Sequence, residues 1–524
     1  MTESSADEDV VNTLGPTSPT SGDRGAQRGG APEHPPDRAR WMVLVIVSIA
    51  QLMIVLDISI VNIALPDAQK ALGFSNGDRQ WIVTAYSLAF GALLLFGGRL
   101  ADLVGRKHMF IAGLIIFAAA SLLGGISPSF QVLVTARAIQ GVAGAMLAPA
   151  ALSLLTTTFP DSKERATAFS VFGAVAGSGA AVGLLLGGVL TEFLSWRWTL
   201  FINVVFAGVA LLGAMRYLHR ERPHERPGLD VPGTILVSAG LFCLVYGFSN
   251  AESHSWSTPS TWGFIVVGGV LLLAFCAWTA RAADPLLPPR IVLDRDRGGS
   301  FLAMFITGAG IFGVFLFLTF FLQTSLGYSP VRTGLAFLPM VIALMITATA
   351  ASTRLLPRFG PKLLIPPGMM LAAGGMAWLT GISLTSSYVT DILGPLIMLG
   401  AGLGLVFAPA LNSATYGVGP RDAGVASATA NTAQQVGGSI GTALLNTIAA
   451  SAVTAYLTSH AAAHLPPSEI QAQAAVHSYR LVFWICAVIF AVGALICFGL
   501  LRFGAQQPDP VGTEPEQSDA PATV

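Results

Sequence analysis

The segment from Gly98 to Lys107 reads GRLADLVGRK and stands between two long apolar runs. Two glycines, Gly98 and Gly105, allow a tight turn there. Arg99, Asp102, Arg106 and Lys107 set charge against the ends of the flanking helices. Anchoring of basic residues on one side of a membrane accounts for Arg99, Arg106 and Lys107, but not for Asp102 or the paired glycines. The stretch therefore reads as a short, charged, purpose-built loop.

Outward from it the chain is apolar. Hydrophobic residues make up 53% of the 524 and charged ones 11%, with a mean hydropathy of +0.67. That is too apolar for an ordinary soluble domain, and a membrane span needs about 20 apolar residues. Fourteen candidate spans fit, at roughly 41–65, 80–98, 108–127, 130–157, 166–190, 197–217, 231–250, 261–281, 300–323, 333–352, 363–383, 390–413, 424–457 and 478–502. The fold class is an all-α integral membrane protein. Of the 28 Lys and Arg, only Lys70, Arg79, Arg197, Arg332 and Arg480 fall in loops opposite the termini, and Arg137 falls within a span. The positive-inside bias places both termini in the cytoplasm. Formal net charge is zero, so no nucleic-acid partner is implied.

The charged decade also has an echo. Arg99-Leu100, Gly105 and Lys107 recur as Arg354-Leu355, Gly360 and Lys362 at identical spacing. Spans 2 and 3 thus map onto 10 and 11, an offset of eight that means six helices per half and an inserted pair. The expected organisation is a cytoplasmic tail at 1–40, a first half at 41–217, the pair with its charged linkers at 218–298, a second half at 299–502 and a tail at 503–524. Both tails are rich in small and polar residues and read as disordered. Two parallel halves around a cavity are a transporter plan.

Within this frame Asp57, inside span 1, is costly unless it faces water or a partner. An apolar setting favours its neutral form, so it can load and release a proton. Span 5 repeats Gly179, Gly183 and Gly187, with Gly188 beside the last, at a spacing that permits close helix packing. Spans 7–11, 13 and 14 have no interior acid, while Asp391 and Glu192 lie near span ends, so the substrate is expected to be neutral, zwitterionic or monocationic and hydrophobic. Candidate cavity-lining residues are Tyr86, Phe305 and Phe312, with Gln140, Asn431, Gln434 and Gln435 as polar handles. No phosphate-binding GxxxxGK[ST] occurs, and no soluble domain interrupts the spans, so neither enzyme chemistry nor a cofactor is expected. Four cysteines lie within spans and are read as packing residues, and His460 and His464 as part of a solvated loop rather than a metal site.

The GRLADLVGRK segment resembles the signature loop between helices 2 and 3 of the major facilitator superfamily. With LDISIVNIALP at Leu56–Pro66, RAIQGVAGA at Arg137–Ala145, SWRWTLFIN at Ser195–Asn203 and QTSLGYSPVRTGLAFLP at Gln323–Pro339, the chain looks like the fourteen-helix drug:proton antiporter family. The resemblance covers nearly all of the chain outside the tails. It implies the major facilitator fold, proton transfer assisted by Arg137 beside Asp57, and a conformational latch at Gly98, Asp102, Gly105, Arg106 and Lys107. Function is then expected to be proton-coupled export of hydrophobic drugs or antibiotics across a bacterial plasma membrane. One departure stands out: the family pattern has Gly-Pro before the final glycine pair of helix 5, and here Leu184 occupies the proline position. That feature favours the alternative, an importer or facilitator of a small metabolite on the same fold. A non-transporting scaffold would need neither an intramembrane acid nor a repeated latch.

Overall fold

The computed structural model describes residues 37–75, 78–159, 162–218, 230–254, 258–282, 285–418, 420–460 and 466–504. The two expected tails fall almost wholly outside these residues, as does His464. Among the described residues there are fourteen helices of 15 residues or more and no strand. They are α1 (Asp37–Leu72), α2 (Arg79–Val104), α3 (Arg106–Gly125), α4 (Phe130–Thr158), α5 (Ser162–Phe193), α6 (Trp198–Tyr217), α7 (Val231–His254) and α8 (Pro259–Thr279). After a short helix at Pro289–Val292 come α9 (Arg295–Phe320), α10 (Pro330–Ala350), α11 (Ile365–Leu379), α12 (Leu393–Thr415), α13 (Pro420–Ser459) and α14 (Pro467–Leu500). Among the described residues thirteen of these are long and apolar enough to cross a membrane. The fourteenth, α2, has 26 residues, about 39 Å at the helical rise. Apolar runs of this length become helices because hydrocarbon offers the backbone no partner but itself.

The charged decade turns out not to be a loop. α2 continues to Val104, so Gly98 to Val104 are helical, and the turn is Gly105 alone, at φ 98°. Nothing between Gly98 and Val104 breaks a helix, and one glycine in a left-handed conformation suffices to reverse the chain. Its counterpart Gly360 has φ 73°, so the repeated motif encodes a repeated turn.

Helix packing repeats as well. In the first half α1 packs on α4, α5 and α6, α2 on α4, and α3 on α4 and α6. In the second, α9 packs on α12, α13 and α14, α10 on α12, and α11 on α12 and α14. Adding eight to each number of the first set yields the second. Two seams join the halves, α2 against α13 and α5 against α10, and these exchange under the same rule.

Small residues set the distances. A Cβ on Gly183 would stand 1.9 Å from Ser59 Oγ, and one on Gly187 2.8 Å from Ile60 Cγ1, so α5 lies directly on α1. In the second half Gly437 would meet the Phe305 carbonyl at 1.9 Å and Gly441 the Ala309 Cβ at 2.5 Å. Gly179 packs likewise on Val55, whereas Gly188 faces Val331 of α10 across the seam. α5 runs unbroken from Ser162 to Phe193, and fully buried Leu184 sits within it.

The inserted pair, α7 and α8, pack on each other, and α7 also leans on α2 and α13. Its anchor is a carboxylate that sequence reasoning passed over. Buried Asp230 accepts hydrogen bonds from the Gly233 backbone N–H (2.9 Å), Trp278 Nε1 (2.7 Å) and the Leu286 backbone N–H (2.9 Å). One side chain thus caps α7 and ties it to α8 and to the linker beyond. Asp230→Ala is expected to cost about 1–3 kcal/mol for each buried donor left unpaired. A thermal unfolding midpoint in detergent equal to that of the wild type would contradict this.

Candidate functional site

α1 carries Asp57 into the interior of the first half, where it is 0% exposed. α4 answers with two side chains three residues apart, which therefore share a face. Arg137 Nη1 donates to Asp57 Oδ2 at 2.5 Å, and Gln140 Nε2 donates to Asp57 Oδ1 at 3.1 Å. α6 supplies a third donor, Asn203 Nδ2, at 2.6 Å from Oδ1. Arg137 is itself held on three sides. Its Nε donates to the Ile82 carbonyl (3.1 Å), its Nη1 to Gln140 Oε1 (2.9 Å), and its guanidinium lies 4.5 Å from the centre of the Tyr86 ring. Gln140 Nε2 also reaches Ser121 Oγ on α3 at 2.8 Å.

Five helices of one half thus converge on a single carboxylate. Arg137 and Asp57 are 2% and 0% exposed, so removing either partner would leave an uncompensated buried charge and is costly. Protonating Asp57 removes the partner that orients Arg137, so proton uptake changes the forces between α1, α4 and α6. Such an arrangement can couple a proton to helix movement.

The structure brings Asp57 and Arg137 together, and places two other residues beside them. Tyr86 and Gln140, read as cavity lining, belong to the Asp57 cluster and are buried within one half. Polar and aromatic side chains on an apolar helix look alike in sequence whichever interior they face. Phe312 is also buried, its ring where a side chain on Gly438 would fall. Gln435 is buried at the α2–α13 seam, packed on Gly91, and its Nε2 has no hydrogen-bond partner among the described residues. Phe305, Asn431 and Gln434 remain partly exposed on α9 and α13. Asn203 ends the SWRWTLFIN segment, and nothing in that local pattern discloses its bond to Asp57 on a distant helix.

At the charged decade, the Asp102 side chain lies outside the described residues. Lys107 Nζ donates to the Leu218 carbonyl at the end of α6, a bond within the first half. Gly98 packs against Pro149 of α4, again within that half.

At the opposite end the halves are closed on each other. Glu192 of α5 accepts from the Val331 backbone N–H of α10 at 3.0 Å, which places an acid at a helix N-terminus. Gln323 Nε2 donates to the Ile63 carbonyl at 3.1 Å. Arg79, read as a loop cation, is 6% exposed within the seam: its Nε reaches Asn446 Oδ1 of α13 at 3.3 Å, and its guanidinium lies 4.2 Å from the Phe320 ring centre. Asp391 accepts from the Ser387 backbone N–H at 2.9 Å and so caps the start of its own helix.

Two six-helix halves related by a repeat, closed at one end and holding a buried ion pair, define a membrane carrier. Residues 47–442 match the family model described as Major Facilitator Superfamily. The chain belongs to that superfamily. It is 48% identical over 471 residues to the puromycin resistance protein pur8 of Streptomyces alboniger, covering 89% of this chain and 92% of that protein. It is 41% identical over 424 residues to the cephamycin export protein CmcT of Amycolatopsis lactamdurans, covering 80% and 87% respectively. Among solved structures, a bacterial homologue of the human lysosomal transporter Spinster, inward-facing and occupied, aligns with a TM-score of 0.62. It shares 14% identity over 89% of this chain and 97% of that one, a likeness of fold.

Proposed function

We propose that this chain is a proton-coupled antiporter that exports hydrophobic drugs or antibiotics from the cytoplasm or inner leaflet by alternating access. The observation that carries the reading is the fully buried Asp57 with its three donors, Arg137, Gln140 and Asn203. The relatives named for puromycin resistance and cephamycin export support the substrate class. The protein lies in a bacterial plasma membrane with both termini in the cytoplasm, a placement supported by the Lys and Arg bias.

In the cycle, the inward-open protein takes up substrate with Asp57 ionised, and the halves rock. A proton from outside then neutralises Asp57, loosens Arg137 and favours release, and loss of that proton to the cytoplasm resets the carrier. Phe305, Asn431 and Gln434 face the substrate. The Gly98–Lys107 segment works as the cytoplasmic latch, with Asp102 as its acid and Lys107 anchoring it to α6. The importer or facilitator reading rests on Leu184.

The test is efflux of lipophilic dyes and antibiotics from cells expressing the protein, with and without a protonophore, beside Asp57→Asn. Export is expected to stop in both cases while the variant still folds and inserts. Undiminished export by Asp57→Asn would remove Asp57 from coupling, and proton-driven accumulation in its place would favour the importer.

A further inference from the structure

The start of α10 and the segment leading into α12 frame a groove of about 520 Å³ at the end of the second half away from the termini. Tyr328, Arg332, Leu335 and Ala336 form one wall, and Tyr388 and Val389 stand in the other. Tyr388 Oη donates to the Ala336 carbonyl at 2.8 Å and so ties the two walls together. Arg332 is the one cation in the lining, which holds no acid. Its guanidinium stacks 3.8 Å from the centre of the Tyr328 ring, and among the described residues no carboxylate pairs with it. A guanidinium stacked on its face still has its N–H edge to offer an oxyanion. The acids of this region are engaged elsewhere, Glu192 with the Val331 N–H and Asp391 with the Ser387 N–H. Beyond the groove the surface is apolar along both helices. Leu335, Ile342 and Ile346 share one face of α10 and are each at least half exposed, and Val389 and Ile397 are exposed on the α12 side. From Leu335 to Ile346 is about 16 Å at the helical rise, close to half of a hydrocarbon core of about 30 Å.

We infer that this groove seats one anionic phospholipid from the leaflet at the end away from the termini, the outer leaflet in the placement proposed above. Its phosphate meets the Arg332 guanidinium, Tyr328 and Tyr388 stand at the level of the headgroup, and its two acyl chains follow the apolar stripes of α10 and α12. Charge complementarity and the paired stripes together select this occupant. A small soluble anion would satisfy Arg332 but leave both stripes bare, and an uncharged apolar molecule would cover the stripes but leave the guanidinium unmatched. Arg332 follows Val331, whose N–H bonds Glu192 across the α5–α10 seam, so the lipid stands one residue from a contact between the halves. The site rests on the groove itself and not on the proton-antiport reading; only the name of the leaflet depends on the orientation in the membrane.

The experiment is native mass spectrometry of the full-length protein in detergent, titrated with dioleoylphosphatidylglycerol or, separately, with dioleoylphosphatidylcholine, which has the same chains and no net charge. The wild type is expected to retain the first lipid over the second. Arg332→Gln should weaken retention of phosphatidylglycerol about tenfold or more, because its charge-assisted hydrogen bonds are lost. Leu335→Glu, which sets an acid in the groove beside an intact Arg332, should do the same, and serves should the first variant fail to fold. A phosphatidylglycerol with a photoreactive acyl chain is expected to label peptides within residues 335–346 or 389–397. Equal retention of the two lipids overturns the site, as does undiminished affinity in the folded variants or labelling confined to other helices. So does an equal loss in Arg480→Gln, since that exposed arginine lies at the same end but outside the groove.

Discussion

Arg137→Leu will leave Asp57 as a buried carboxylate without a counter-charge, at a cost of about 3–5 kcal/mol. Gln140 and Asn203 stay as neutral donors, yet they cannot replace a guanidinium at 2.5 Å. Unfolding midpoints in detergent would show the loss against wild type. Adding Asp57→Asn should recover most of it, because the two residues form one unit. Additive losses in the double variant would mean that Arg137 stabilises the fold through Ile82 and Tyr86 rather than through Asp57.

A second large effect is expected at the α5–α10 seam. A Cβ at Gly334 would stand 2.5 Å from the Leu184 carbonyl, and one at Gly188 2.8 Å from the Pro330 carbonyl. Backbone cannot yield at that distance, and crowding of this kind costs about 1–3 kcal/mol within a rigid core. This contact joins two halves, so Gly334→Leu will part them at the end away from the termini instead of unfolding them. Spin labels at Phe193 and Val389, both exposed on that side, should report a longer distance, and export should fall about tenfold or more. Gly269 of α8 has no atom within 4 Å of an added Cβ, so Gly269→Leu serves as the silent control. Unchanged label distances in Gly334→Leu would show that the seam absorbs the side chain.

Legibility in the sequence followed how local each requirement was. A chain reversal at one residue needs glycine with positive φ, so Gly105 and Gly360, with their flanking Arg and Lys, disclosed the repeat; the six matched helix pairings follow from it. Asp57 was legible because a carboxylate in an apolar run has few explanations. Asn203, Tyr86, Gln140 and Arg79 were not, since their roles depend on which distant helix each meets. Tyr86 faces Arg137, fifty-one positions away, and Arg79 meets Asn446 in the other half. The helical course of Gly98–Val104 was obscured by its charges, which sit on the last turns of α2 as comfortably as in a loop.

The inserted pair breaks the molecule's near-twofold symmetry in one respect. α7 lies against α2 and α13, the helices of one seam, and no third helix packs comparably on α5 and α10 among the described residues. One joint between the halves is therefore splinted from the side, while its twin meets the bilayer bare. A lipophilic molecule diffusing in the membrane therefore finds two unlike flanks, and only at α5–α10 does the joint between the halves lack a third helix laid against it.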